Sequence, residues 1–376
     1  MDIIYFDNSA TTKIKTVVLN EMIPFLTTEY GNASSLYSIG RKSKRAVENA
    51  RKQVAELINC NSNEIFFTSG GSESDNIALK GFAYANKEKG NHIITSKIEH
   101  PAILETCRSL EEQGFEISYI NVDEQGIIKI EELQNEIKPS TILISVMAAN
   151  NEIGTIQPIE QIAQIAHQYG ITFHTDAVQA VGNILIDVKK MGIDMLSLSG
   201  HKIHGPKGIG ALYIKSGIKV QKIINGGHQE KDKRAGTENV AGIVGLGKAC
   251  EIANKNLEIH IKYLTKLRDY YIIKLQKEMP GKIRINGSMQ KRLPGNANIS
   301  FENVDSSELI FKLDEKGICV SSGSACSSGN KMPSHVLTAI NVPEKYLNSA
   351  IRTTFGDNNS YEQIDYLVKC LKSMIK

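Results

Sequence analysis

Asp194-Met195-Leu196-Ser197-Leu198-Ser199-Gly200-His201-Lys202, running on through Ile203-His204-Gly205-Pro206-Lys207-Gly208, joins a buried strand to a turn that carries one lysine. The run 194–198 reads as the strand. The small polar turn after it presents Lys202, and the glycines beyond let backbone approach a ligand closely. A lysine there packs poorly but is well suited to Schiff-base chemistry in a partly desolvated pocket. For this motif alone, a solvated lysine on a surface turn is an equal reading. The other strand ends decide between them.

Outward from this strand, short apolar runs at 64–68, 92–95, 117–122, 141–146, 171–174, 195–198 and 211–214 read as strands. Amphipathic stretches at 74–86, 102–113, 130–137 and 159–169 read as helices between them. This rhythm predicts an α/β fold: a mostly parallel seven-stranded sheet covered on both faces. Unbroken hydrophobicity in Ile142-Leu143-Ile144-Ser145-Val146 fits a strand buried on both sides. After Gly247 the pattern changes to a long helix over 248–278, ended by Pro280 and Gly281. A strand at 298–301 and a helix at 306–316 indicate a smaller α+β domain. Residues 15–255 are expected to form the large domain, and 1–14 with 256–376 the small one.

With 376 residues, 41% hydrophobic and 23% charged, the chain reads as globular and large enough for two domains. A net charge of +3 gives no electrostatic case for direct nucleic-acid binding. No apolar run approaches the ~20 residues of a membrane span. Met1-Asp2-Ile3-Ile4-Tyr5-Phe6-Asp7 lacks the pattern of a signal peptide, so a cytoplasmic location is expected. None of the six cysteines forms a Cys-x-x-Cys pair, which argues against a closed zinc site or a dithiol motif.

In an open parallel sheet, ligands bind where the strands end. Strand 64–68 runs into Ser69-Gly70-Gly71-Ser72, a glycine turn opening a helix and a natural phosphate seat. It lacks the glycine-lysine spacing of a nucleoside-triphosphate loop and the dinucleotide pattern. Strand 92–95 leads to His100, able to stack on a ring and relay protons. Strand 141–146 leads to the amides of Asn150-Asn151, and strand 171–174 to Asp176 and Gln179. A carboxylate at a buried strand end needs a cationic partner, and a protonated pyridine nitrogen is one. Taken with Lys202, the set describes a pyridoxal phosphate site.

These residues, together with Asp7-Asn8-Ser9-Ala10-Thr11-Thr12, Gly31-Asn32-Ala33-Ser34-Ser35, Asn150-Asn151-Glu152-Ile153-Gly154, Arg234-Ala235-Gly236-Thr237 and Ser321-Ser322-Gly323-Ser324-Ala325-Cys326, resemble the cysteine desulfurases of the class-V aminotransferase group. The fold implied is that of fold-type I pyridoxal phosphate transferases, and the assembly implied is a homodimer with sites at its interface. By that resemblance Lys202 is the Schiff-base lysine, Asp176 faces the ring nitrogen and His100 stacks on the ring. Asn151 and Gln179 would contact the phenolic oxygen. Gly71, Ser72, Ser199 and His201 would hold the phosphate, with Thr237 entering from the other subunit. Arg352 would bind the carboxylate of L-cysteine, with Asn32 nearby. Lys13, Ala148-Ala149 and His204 depart from the usual pattern, which commonly has proline, His-Val and tyrosine at these places.

Cys326 sits among small residues that cannot pack around it, a setting suited to a thiolate that collects sulfur and carries it away. The segment resembles the nitrogen-fixation and general iron–sulfur subgroup. The implied reaction converts L-cysteine to L-alanine and leaves a persulfide on Cys326 for an acceptor, such as an iron–sulfur scaffold or a tRNA-thiolation enzyme. No resident metal is expected, apart from an iron–sulfur cluster transiently ligated through that persulfide. A selenocysteine lyase or an aminotransferase on the same fold are the alternatives, and a non-catalytic cofactor-binding scaffold is a third.

Overall fold

The computed structural model describes residues 3–322 and 333–375; Cys326 lies outside them. A two-residue strand, β1 (Ile4–Tyr5), leads to helices α1 (Thr16–Thr27) and α2 (Ser38–Ile58). The main sheet then assembles from β2 (Ile65–Thr68), β3 (His92–Ser96), β4 (Glu116–Ile120), β5 (Thr141–Ser145), β6 (Thr172–Asp176), β7 (Met195–Ser199) and β8 (Gly210–Ile214). Its order is β2-β8-β7-β6-β5-β3-β4. Pairing is parallel from β7 through β4, and β8 runs antiparallel to both of its neighbours. The mostly parallel seven-stranded sheet is therefore as expected.

Successive residues of the central strands pack on opposite faces of the sheet. Ile93, Leu143 and Met195 pack with Phe82, Ile103 and Leu110 on one face. Ile94, Ile144 and Leu196 pack with Val54, Ile162 and Ala166 on the other. Both faces are covered, so the strands read as unbroken apolar runs rather than as alternation.

A second core surrounds a three-stranded antiparallel sheet of β9 (Ile283–Ile285), β10 (Asn296–Phe301) and β12 (Ala350–Thr354), ordered β12-β10-β9. Phe6, Leu267, Tyr271, Ile299, Phe301 and Leu367 are among its residues. Beside it β1 pairs in parallel with β11 (Ile318–Cys319). The helix Val240–Glu278 serves both cores: Ile243, Leu246 and Cys250 enter the first, and Leu264, Leu267 and Leu275 the second. At 1.5 Å per residue it is roughly 60 Å long.

That helix begins eight residues before its expected start at 248. Gly242, Gly245 and Gly247 weaken the local helical signal, yet they are there for packing. A methyl on Gly247 would lie 2.6 Å from Ala50 Cα of α2. The expected helix 74–86 is instead α3 (Gly71–Asn76), a π-type turn (Ile77–Gly81) and a helix Phe82–Asn86. Among the described residues, no helix is long and apolar enough to cross a membrane.

Candidate active site

Lys202 closes the short 3-10 turn Gly200–Lys202 directly after β7. Its ammonium donates to the carbonyl of Ser9 and, at 2.8 Å, to that of Ala10. The Asp7–Thr12 segment thus lies against the lysine, pinned further by Thr12 Oγ1 donating to the His201 carbonyl at 2.9 Å. Gln179 reaches the same segment, donating through Nε2 to Ser9 O at 3.0 Å.

Asp176 ends β6, beside β7, and is buried. Its Oδ1 accepts from Val178 N at 2.9 Å. Burial raises its carboxyl above the usual range, while His100 and Lys202 pull it back down. His100 caps the helix Pro101–Glu111, its Nδ1 accepting from Ala102 N at 3.1 Å. Burial depresses its pKa, and with Nδ1 accepting, a neutral ring carries its proton on Nε2.

At the end of β2, the turn into α3 offers backbone N–H groups suited to an anion. Gly70 has φ of 155°, which an L side chain rarely adopts, and a methyl on Gly71 would lie 2.6 Å from Val178 Cγ2. The adjoining cavity, of about 450 Å³, is lined by Gly71, Ser72, Ser199, His201 and Lys207 among others. His201 is pushed down to about 4, first by burial and then by Lys202 and Lys207, so it meets an anion as a neutral ring. A second cavity of about 320 Å³ lies on the other side of Lys202, between Gln179, His260 and Asp357.

Arg352, on β12, is buried with its guanidinium toward the N-terminal segment. Nη2 donates to Asp7 Oδ1 at 2.7 Å and Nη1 to the Asn151 carbonyl at 3.2 Å, while Nε has no partner. Asn150 instead shapes its own turn: Nδ2 donates to Ile98 O, and Oδ1 accepts from Glu152 N and Ile153 N. Asn32 and Thr237 are exposed, and neither lines these cavities within one chain.

The elements thus gather Lys202, Asp176, His100, Gln179, Ser199, His201, Gly71, Ser72, Asn151 and Arg352 around the sheet's carboxyl edge. Asn32 and Thr237 stay outside, and Cys326 falls outside the described residues. Four acidic side chains were not anticipated as site groups: Asp7, Asp75, Glu99 and Glu152. Asp7 pairs with Arg352. Burial pushes Glu99 to about 8 and Glu152 to about 7. Asp7 and Glu152 stood inside quoted motifs, Asp75 three residues past the glycine turn and Glu99 beside His100, so position in the chain was the available signal.

The donor set fits pyridoxal phosphate on these observations: a glycine turn beside a cavity, an amine just past β7, and a buried carboxylate that a cation would stabilise. The "Aminotransferase class-V" family model matches residues 4–367. The chain is 52% identical over 375 residues to "Cysteine desulfurase IscS" of Clostridium botulinum, covering 99% of this chain and 94% of that one. It superposes on a solved structure described as a "NIFS-like protein" with a TM-score of 0.93, at 38% identity and 99% coverage of each. "SspA in complex with cysteine" aligns with a TM-score of 0.84 at 38% identity, covering 93% of this chain and 98% of that one. With the family matched over 4–367 and a relative 52% identical along nearly its whole length, the chain belongs to the cysteine desulfurases of the class-V aminotransferase family.

Proposed function

We propose that this chain is a pyridoxal phosphate-dependent cysteine desulfurase that takes sulfur from L-cysteine, releases L-alanine and hands the sulfur on as a sulfurtransferase. The observation that carries this reading is the placement of Lys202 and Asp176 at the ends of adjacent strands, with Ser199 and His201 of the same turn sharing a cavity with Gly70 and Gly71. Pyridoxal phosphate, when bound, supplies an aldehyde that links to an amine and a ring that accepts an electron pair.

Lys202 Nζ would hold the aldehyde and, as a free amine, would move the α-proton. The Gly71 backbone, Ser72, Ser199 and His201 hold the phosphate, with Thr237 of a second copy completing the seat. Asp176 would keep a proton on the ring nitrogen, His100 would stack on the ring, and Asn151 with Gln179 would contact the phenolic oxygen. Arg352 binds the substrate carboxylate, with Asn32 beside it. Its unpartnered Nε and its rigid fork suit that task. The Cys326 thiolate attacks the substrate sulfur; the new S–S bond forms as the C–S bond breaks, and the electron pair left on carbon takes a proton.

The working unit is a cytoplasmic homodimer, and the sulfur acceptor is an iron–sulfur scaffold or a tRNA-thiolation enzyme. Residues 15–255 form the cofactor domain, with 1–14 and 256–376 forming the smaller one; the two separate cores support this division.

Borohydride reduction followed by peptide mapping tests the reading. A cofactor adduct is expected on Lys202, and an unlabelled Lys202 would refute it. Cys326→Ser should keep the visible colour but yield no persulfide. Normal alanine and sulfide release by that variant would overturn the assigned thiol.

A further inference from the structure

Among the buried polar side chains of the parallel sheet, one connected line runs beneath Asp176. There Ser145 on β5, His174 on β6 and Ser197 on β7 are each fully buried. His174 Nδ1 contacts Ser145 Oγ at 2.9 Å, and Nε2 contacts Ser197 Oγ at 3.1 Å. Ser197 is also the polar side chain that acts on the carboxyl of Asp75, on α3. Asp75 is 1% exposed, and its Oδ1 has no hydrogen-bond partner, with His174 Nε2 3.8 Å away. The chain Asp75–Ser197–His174–Ser145 therefore stitches the edges of three site-bearing strands to the helix that opens at the anion seat.

Two buried carboxyls near each other do not both ionise, because each charge disfavours the other. Geometry decides which gives way. Asp176 has the Val178 N–H at 2.9 Å and faces His100 and Lys202. Asp75 has one hydroxyl, an orphaned oxygen and no cation; the charged groups felt at its position are Asp176 and Glu99, both carboxyls. Burial first, and then Asp176, hold the Asp75 carboxyl well above its usual range. His174 is held down to about 3 by burial, so it stays neutral and transmits hydrogen-bond direction without taking charge.

We propose that Asp75 is a positioning residue for Asp176: a neutral carboxylic acid that heads the chain Asp75–Ser197–His174–Ser145 and leaves Asp176 as the charged carboxyl. The proposal rests on the reading that Asp176 faces the cofactor's ring nitrogen. Asp75 donates to Ser197 Oγ, Ser197 donates to His174 Nε2, and His174 Nδ1–H donates to Ser145 Oγ. Each hydroxyl and each ring nitrogen then has one partner of the right kind. An ionised Asp75 would reverse every bond and move the His174 proton to Nε2.

Infrared difference spectra of the holoenzyme, wild type minus Asp75→Asn, test this directly at neutral pH. The band of a protonated carboxylic acid should vanish in the variant. Loss of an ionised-carboxylate band instead would overturn the proposal. Histidine-selective nitrogen NMR should show the neutral His174 ring protonated on Nδ1; protonation on Nε2 would also overturn it. Asn, which donates and accepts like the neutral acid, should preserve the pH midpoint of the visible cofactor band. Asp75→Ala, which orphans Ser197, should weaken cofactor binding by roughly tenfold. An Asn variant as impaired as the Ala variant would mean that Asp75 works as an anion. Borohydride labelling of Lys202 is scored separately, so failure of the cofactor reading is distinguishable from failure of this one.

Discussion

Arg51 and Glu230 form a buried pair that governs how the anion seat is presented. Both side chains are about 5% exposed, and the fork is bidentate at 2.7 and 2.8 Å. Glu230 Oε2 also accepts from Phe67 N at 2.8 Å, and Arg51 Nη1 donates to Ile65 O at 2.7 Å. The pair therefore grips β2 just before it turns into Gly70. Glu230 reaches this position through a left-handed backbone at φ 46°. Replacing it with glutamine strands a guanidinium in the interior, which costs about 3–5 kcal/mol. The expected outcome for Glu230→Gln is a clearly lower urea midpoint and weaker cofactor retention; an unchanged midpoint would show that the pair is not held. No sequence pattern announced this pair, because its partners are 179 residues apart. Lys202, Asp176 and His100 were legible for the opposite reason: each follows a strand that its own neighbours spell out.

Among the elements, the loop after β12 links the strand that carries Arg352 to the lysine turn. Asp357 pairs with Lys15 Nζ at 2.7 Å and His260 Nδ1 at 2.6 Å, and His204 Nε2 lies 3.9 Å away. His204 also contacts the Lys13 carbonyl at 3.0 Å, so two of the departures from the family pattern meet in this cluster. The His260 hydrogen bond, followed by that of Lys15, holds the Asp357 carboxyl far below its usual range. Its folded pKa is lower than its unfolded value of about 3.9, so the stabilisation is present above pH ~4 and is lost as pH falls through the folded value. Asp357→Asn should lower stability at pH 7 by about 1 kcal/mol, since the group is a third exposed, and flatten the acid limb of the stability–pH curve. An acid limb identical to wild type would exclude this linkage.

Packing of α2 against the long helix gives a second element-scale test. Gly247→Val would push a side chain into Ala50, with a cost of about 1–3 kcal/mol. Thermal melting read beside Gly281→Ala, whose surroundings are open space but whose φ is 75°, separates clash from backbone strain. The glycines in that helix also explain why its first eight residues were illegible: they lower helical propensity locally and earn their place only through a partner helix. The helices α1 and α2 went unread for a related reason. Each lies before the strand–helix rhythm begins, and α2 opens with no side-chain cap.

For the whole molecule, the surface left uncovered by one chain is as informative as its core. Helix α1 buries only Val18, while Val17, Leu19, Ile23 and Leu26 are exposed, and Leu36 and Tyr37 extend the patch. Exposed apolar side chains sharing a helix face, as Leu19, Ile23 and Leu26 do, mark an interface, and a second copy of this chain is the proposed occupant. Thr237 and Asn32 gain roles in the same way, since both stand exposed and away from the cavities of their own chain. Ile23→Asp combined with Leu26→Asp should therefore give a folded monomer by sedimentation, with cofactor retention and desulfuration both lost. A mixing experiment then separates a shared site from a merely dimeric one. Lys202→Ala and Thr237→Ala, each impaired alone, should regain activity when dissociated and reassembled together. In the mixed dimer one site has an intact Lys202 from its own chain and an intact Thr237 from the other. If Thr237 served its own chain, no mixed dimer would contain a complete site, and the mixture would stay as weak as its components.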